Sequence, residues 1–267
     1  MFLTRGMRIG LRIIVGVVLA AVYVPLVVVM INSFNADRAF GWPPPGFTLE
    51  WWRRAAHNAG ALDALSTSVL VGLCATAIAL VLGTLAAMSL QRYRFFGRDA
   101  VSLLVILPIA LPGIVTGIAL NNAFRTILGI QLSLLTLIVA HATFCIVVVF
   151  NNVIARLRRL GGDLEEASMD LGADSFTTFW RVTFPLIRTA LLAGGLLAFA
   201  LSFDEIIVTR FTASQSTTTL PIWILDNLFR PNQAPIVNVV ATVLVLLSII
   251  PISIAQRLSG DASGGRL

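Results

Sequence analysis

Six stretches of this chain are long enough to cross a lipid bilayer yet carry almost no formal charge, and no other feature limits its fold as strongly. The hydrocarbon core is roughly 30 Å thick, so a crossing helix needs about 20 predominantly apolar residues. Residues 13–31, 66–90, 100–124 and 127–155 contain no Asp, Glu, Lys or Arg. A fifth run, 189–208, is apolar until Asp204 and Glu205, and a sixth covers 236–256. Composition agrees: 57% hydrophobic residues, 12% charged residues and a mean hydropathy of +0.91 leave too few charges to cover a water-exposed surface. Within lipid each backbone amide and carbonyl must be bonded inside its own segment, and runs of this length are far too long for barrel strands. The sequence therefore predicts an all-α polytopic membrane protein with six transmembrane helices, in which 1–12 and 257–267 are cytoplasmic ends and 13–256 is the transmembrane domain.

Orientation follows from the basic residues, which are all Arg. With the N-terminus inside, the cytoplasmic segments hold thirteen of the 19, among them Arg5, Arg92, Arg98, Arg156, Arg159 and Arg188, and the outer loops hold six. Basic residues concentrate on the cytoplasmic side of short loops, so both termini are expected inside. A net charge of +6 spread along the flanks of apolar runs forms no basic block, and no nucleic-acid partner is expected. The first run resembles a signal peptide, but it exceeds the usual apolar core and no small-x-small cleavage site follows, so it is read as a retained span. Cys74 and Cys145 lie within spans and behave as small apolar residues. No metal-ligand spacing occurs and no cofactor is implied.

The most polar part of the chain lies between the fourth and fifth spans. Gly161 and Gly162 break the preceding helix, and Asp163 is an N-cap candidate with Glu166 three residues on. A short helix from Leu164 through Glu165, Ala167, Met169, Asp170 and Leu171 should stop at Gly172, which tolerates the left-handed conformation of a helix C-terminus. Ser175 is a second N-cap candidate, followed by Phe176, Phe179 and Trp180 and ended by Pro185. The segment 161–187 thus reads as a helix-turn-helix elbow facing the cytoplasm. Its apolar rows, Leu164 with Met169 and Leu171, and Phe176 with Phe179 and Trp180, either pack on the ends of the chain's own spans or form a docking surface for another protein.

The elbow also carries a resemblance. Glu166-Ala167-Ser168, three residues, Gly172, nine residues and Val182-Thr183-Phe184-Pro185 resemble the EAA motif of bacterial ABC-importer permeases, with Ser168, Val182 and Phe184 in place of Ala, Ile and Leu. The resemblance implies a type I importer permease fold and an elbow that inserts into a groove on an ATPase subunit, through Glu165, Glu166, Ala167, Asp170, Leu171, Gly172 and Phe176. Leu201-Ser202-Phe203-Asp204-Glu205, Thr218-Thr219-Leu220-Pro221 and Leu111-Pro112-Gly113 are similar to the spermidine/putrescine permease subgroup, likeness to which covers nearly the whole chain from the first span on. Two ATPase subunits, a second homologous permease forming a heterodimer with this one, and an extracytoplasmic substrate-binding protein are the implied partners, alongside membrane lipid.

The chain has no Lys and so cannot build a P-loop, whose Lys reaches the β- and γ-phosphates. The sequence therefore points away from an enzyme, with ATP hydrolysis expected on the partner. Asp204 and Glu205 need an account, because acids at membrane depth are costly unless they face a cavity, a partner or water. Together with Ser202 they could line the path of a cationic solute. Alternatively they are structural, pairing with Arg210 or capping a neighbouring helix. Half of a proton-coupled carrier would share the spans and acids but not the elbow. An intramembrane serine protease would need a nucleophile beside His141 in a setting the sequence lacks; His141 reads instead as a hydrogen-bonded core residue. If the Arg asymmetry sets the topology, cysteine labels at Arg159 and Gly264 will react only from the cytoplasmic side, and labels at Ala59 and Gln215 only from outside.

Overall fold

The computed structural model describes residues 5–38, 42–93, 95–230 and 232–247. The chain forms α1 (Arg5–Asn32), α2 (Glu50–Ala56), α3 (Ala59–Arg92), α4 (Arg98–Ala110), α5 (Gly113–Asn122), α6 (Leu134–Leu160), α7 (Asp163–Asp170), α8 (Ser175–Thr178), α9 (Phe184–Phe203), α10 (Ile207–Thr212), α11 (Leu220–Asn227) and α12 (Ala234–Leu247). Among the described residues four helices are long and apolar enough to cross a membrane: α1, α3, α6 and the continuous stretch Ser175–Phe203. The stretch Arg98–Ala110 with Gly113–Ile127, bent by 107°, is long and apolar enough for a fifth when taken as one broken span. Of the expected sixth, the described residues include α12, a shorter apolar helix, and 248–256 lie outside them.

Three of the expected spans are remodelled, each for a local reason. The run 100–124 is not one helix, because Pro112 has no amide to donate and holds Leu111 in an extended conformation, φ −83° and ψ 145°. The run 127–155 begins as non-helical chain: α5 ends in a π-turn, Gly129 takes φ +65°, and α6 starts only after Ser133. Ser133 supplies a complete capping box with Thr136, leaving α6 to run on to Leu160. The run 189–208 stops at Phe203 and restarts at Ile207, so Asp204 and Glu205 stand in a break rather than inside a helix.

The chain divides into two compact units, Met1–Leu62 with Ile224–Leu267, and Asp63–Trp223. In the first, α1 buries no residue, while a small folded loop forms around Trp51, which is 3% exposed. Its indole donates to the Asn35 carbonyl at 2.9 Å, and Arg38 and Arg54 lie over its ring. Trp51 is thus the centre of an ordered loop.

The second unit is built around α6. Val147, Val149, Phe150 and Val153 are sealed within it by residues of α3 and α9. Helix α3 presents Ala75, Ala79, Gly83 and Ala87 at four-residue spacing, and α9 presents Gly194, Ala198 and Ser202 in the same way. Between helices in lipid there is little hydrophobic gain, so association rests on close van der Waals packing, and small residues at this spacing permit it. At Gly83 a Cβ would stand 2.9 Å from the Ile146 carbonyl oxygen, and at Gly194 3.3 Å from the Val149 Cα. Backbones cannot yield as side chains do. Replacing Gly83 by Val should therefore cost about 1–3 kcal/mol through overpacking and lower the thermal midpoint of the detergent-purified chain, whereas Gly16→Val, where nothing lies within 4 Å, should leave it unchanged.

Candidate functional site

The elbow forms as two short helices joined by a tight turn. Helix α7 begins at Asp163 with Gly162 as its N-cap; Asp163 makes no side-chain cap bond and is the first helical residue. Gly161, at φ 70° and ψ −169°, occupies a conformation open to glycine and so turns the chain out of α6. At its other end the Ala173 amide donates to the Ser168 carbonyl at 3.1 Å and the Gly172 amide to Met169 at 2.9 Å. That pattern, with Gly172 at φ +88°, is a Schellman C-cap. The next N-cap is Asp174, one residue before Ser175, whose carboxylate accepts from the Thr177 amide at 2.9 Å. Hydrogen bonds from the Thr177 side chain and amide hold the Asp174 carboxyl below the usual carboxylate range. The ordering they provide is present above the unfolded pKa and is lost only as pH falls through the lower folded value.

What fixes the elbow to the spans is Glu165. Its carboxylate accepts from Arg92 at the end of α3, Nε at 2.8 Å and Nη2 at 2.7 Å, and its second oxygen accepts from the Thr183 hydroxyl. Arg92 also reaches the Thr183 hydroxyl, at 3.4 Å. The Ser168 and Thr178 hydroxyls, 3.0 Å apart, join the two arms of the elbow. The sequence singled out Glu165 but not Arg92 or Thr183, because a contact spanning 73 residues leaves no local pattern.

The other docking candidates lie on the exposed side of the elbow. Glu166, Ala167, Asp170 and Gly172 are exposed, and the Glu166 and Asp170 side chains make no hydrogen bond or ion pair among the described residues. Leu171 is 90% and Phe176 71% exposed, with Leu164, Met169 and half of Trp180 also uncovered. Leu164, Met169, Leu171 and Phe176 are therefore not spent on the chain's own spans, whereas Phe179 and Trp180 pack on Phe184 at the start of α9, with ring centroids 6.1 and 5.2 Å from it.

The second candidate region is the break between α9 and α10. Glu205 Oε1 accepts from the Val208 amide at 2.9 Å and its carbonyl accepts from the Thr209 hydroxyl at 2.7 Å, so Glu205 caps α10. Asp204 is exposed. Ser202 is 3% exposed, with its hydroxyl 2.7 Å from His141 Nδ1, and His141 Nε2 is 2.9 Å from the Thr209 hydroxyl. The single Thr209 proton goes to Glu205, so Nε2 donates to Thr209 and Nδ1 accepts from Ser202. His141 is a fully satisfied core residue that joins α6, α9 and α10. No group of three or more His, Cys, Asp or Glu residues able to hold a metal ion occurs among the described residues.

Residues 79–261 match the family described as "Binding-protein-dependent transport system inner membrane component". The chain belongs to that family. This permease is 35% identical to the spermidine/putrescine transport system permease protein PotC of Escherichia coli strain K12, over 92% of each chain. It is 32% identical to the putrescine transport system permease protein PotI of the same strain, over 84% of this chain and 81% of that one. Its fold is similar to a chain of a bacterial ABC transporter that imports the acidic polysaccharide alginate, with a TM-score of 0.72, 16% identity, and coverage of 98% and 99%. A chain of the MetNI methionine ABC transporter gives 0.59 at 18% identity, over 79% and 97%. The permease is thus an all-α transport component of the ABC-importer type, with the elbow set between its two long helices α6 and α9.

Loss of the tie within the elbow should be separable from loss of its outer face. Arg92→Met removes a charged donor pair, worth about 1.5–3 kcal/mol per bond, and should speed amide hydrogen exchange across 163–183. Glu166→Gln, at a carboxylate with no hydrogen-bond or ion-pair partner among the described residues, should leave that exchange unaltered.

Proposed function

We propose that this permease, with a second related permease, forms the translocation path for a polyamine-type cation and is driven by two ATPase subunits that grip the elbow. The observation that carries this reading is the division of labour between Glu165 and its neighbours. Glu165 is bound to α3 and to the start of α9, whereas Glu166, Asp170, Leu171 and Phe176 are held outward on a turn that Gly172 makes rigid. An apolar face ringed by unpartnered acids on a fixed support has the composition of a protein interface. Motion of a docked ATPase would pass through Arg92 and Thr183 into the two helices. Supporting the solute, the two polyamine permeases described above align over most of the chain. Asp204 is an exposed acid at a helix break that a cation could reach. An extracytoplasmic binding protein would deliver the solute, and the Arg distribution supports placing both termini and the elbow in the cytoplasm of a bacterium whose inner membrane holds the complex.

Ser202 and Glu205 take a different part in this scheme from Asp204. Their oxygens are engaged in the His141 and α10 contacts, so they shape the break, and Asp204 is the residue offered to the path. The test is uptake of radiolabelled spermidine by the complete transporter reconstituted in vesicles. Asp204→Asn should lower uptake while leaving the thermal midpoint unchanged. Glu205→Ala should cost about 0.5–2 kcal/mol of stability for a lost cap, seen as a lower midpoint, and Phe176→Ala should weaken ATPase association about tenfold or more, as an interface aromatic does. Undiminished uptake with Asp204→Asn would remove that acid from the path. Unchanged ATPase association with both Leu171 and Phe176 replaced by Ala would remove the elbow from the coupling.

A further inference from the structure

Within the second unit an open groove of about 650 Å³ runs between α3 and α9, beginning at the aromatic end of the elbow. Val81, Leu85 and Met88 of α3 face Leu191 and Leu192 of α9 across it, and Trp180 and Phe184 close the elbow end, their ring centroids 5.2 Å apart. Among the described residues no Asp or Glu lines it, and the one charged group in its wall is Arg188. Arg188 is exposed and makes no hydrogen bond or ion pair among the described residues. Thr84, also in the wall, is 8% exposed and its hydroxyl has no partner.

We infer that this groove binds one acyl chain of an anionic phospholipid, with the phosphate held by Arg188. Length argues for a lipid chain and against a crossing helix. The α3 wall extends only from Leu80 to Met88, roughly 12 Å at about 1.5 Å per residue, which is close to one leaflet of a hydrocarbon core about 30 Å thick. A neighbouring transmembrane helix would need a seam of about twice that length. Charge argues for the head group. An unpaired guanidinium beside an apolar slot, with no carboxylate to satisfy it, is complementary to a phosphate, which it can contact through two parallel N–H donors. Trp180, at the elbow end of the groove, supplies an amphipathic ring of the kind enriched at the head-group level. Basic pockets between membrane helices on the cytoplasmic side are a recurrent mode of anionic lipid recognition.

The experiment is native mass spectrometry of the full-length permease released from vesicles containing equal amounts of phosphatidylglycerol and phosphatidylethanolamine of the same acyl composition. Wild type should retain phosphatidylglycerol in preference. Arg188→Gln should reduce that preference about fivefold, the effect of losing about 1 kcal/mol of attraction to an anionic lipid, while Arg53→Gln should not. Leu85→Trp, which fills the slot, should reduce retention of both lipids. Because Leu85→Trp could also disturb folding, Arg188→Gln carries the decision by itself. Equal retention of the two lipids by wild type, or an unaltered preference in Arg188→Gln, would overturn the assignment. So would efficient cross-linking of a Leu85→Cys variant to a second polypeptide in native membranes, since the groove would then be a protein interface.

Discussion

Everything in the larger unit depends on how closely α6 can be approached. Its neighbours meet it with Ala75, Ala79, Gly83 and Ala87 on one side and Gly194, Ala198 and Ser202 on the other, so that backbone meets backbone. In water a helix stripe this small would bury little apolar area and hold weakly. In lipid that loss counts for little, because a tail is as apolar as a leucine and only the closeness of packing distinguishes protein from bilayer. The same proximity lets polar groups at depth find partners: Cys145 reaches the Ala198 carbonyl at 3.3 Å, and His141 bridges Ser202 and Thr209. A bulkier α9 would hold those donors and acceptors apart.

Breaks in the helices are placed where such partners exist. Interrupted backbone at membrane depth is tolerated only where protein or water satisfies the freed groups. At the α9–α10 break Glu205 and Thr209 supply the bonds, and the Asn121 amide reaches the Phe211 carbonyl from α5. At the start of α6 the Thr136 hydroxyl bonds the Thr212 carbonyl at 3.0 Å. Gly117 allows the approach, since a Cβ there would stand 2.8 Å from the Phe211 ring. The two broken regions, 111–112 with the π-turn and 204–206, thus belong to one packed corner whose geometry exposes Asp204 while engaging Glu205.

The elbow combines a rigid inner edge with an open outer face. Glu165 faces inward at 18% side-chain exposure and Glu166 faces out, a consequence of adjacent helical residues lying about 100° apart. Two neighbouring carboxylates of the same chemistry therefore have different tasks, one in the tie to Arg92 and Thr183, the other available beyond the chain.

The amino-acid sequence by itself determined the solvent, the helical class, the elbow and the family. Length of uncharged runs, absence of Lys, and the glycines and caps of 161–187 are local properties, and the lipid constraint on backbone hydrogen bonds turns them directly into structure. Gly172 could be read as left-handed because few other residues tolerate φ +88°. Cap positions were displaced by one residue, Gly162 for Asp163 and Asp174 for Ser175, since neighbouring polar residues compete for the same amides and only the final backbone selects one. What tertiary structure alone decided is which polar groups meet. Uniform apolarity hides the Pro112 bend, and Asp204 and Glu205 do not by their spacing reveal that the helix breaks there. Arg92 with Glu165, His141 with Ser202, and the small-residue ladders about α6 join segments far apart in the chain, where no spacing rule records the contact.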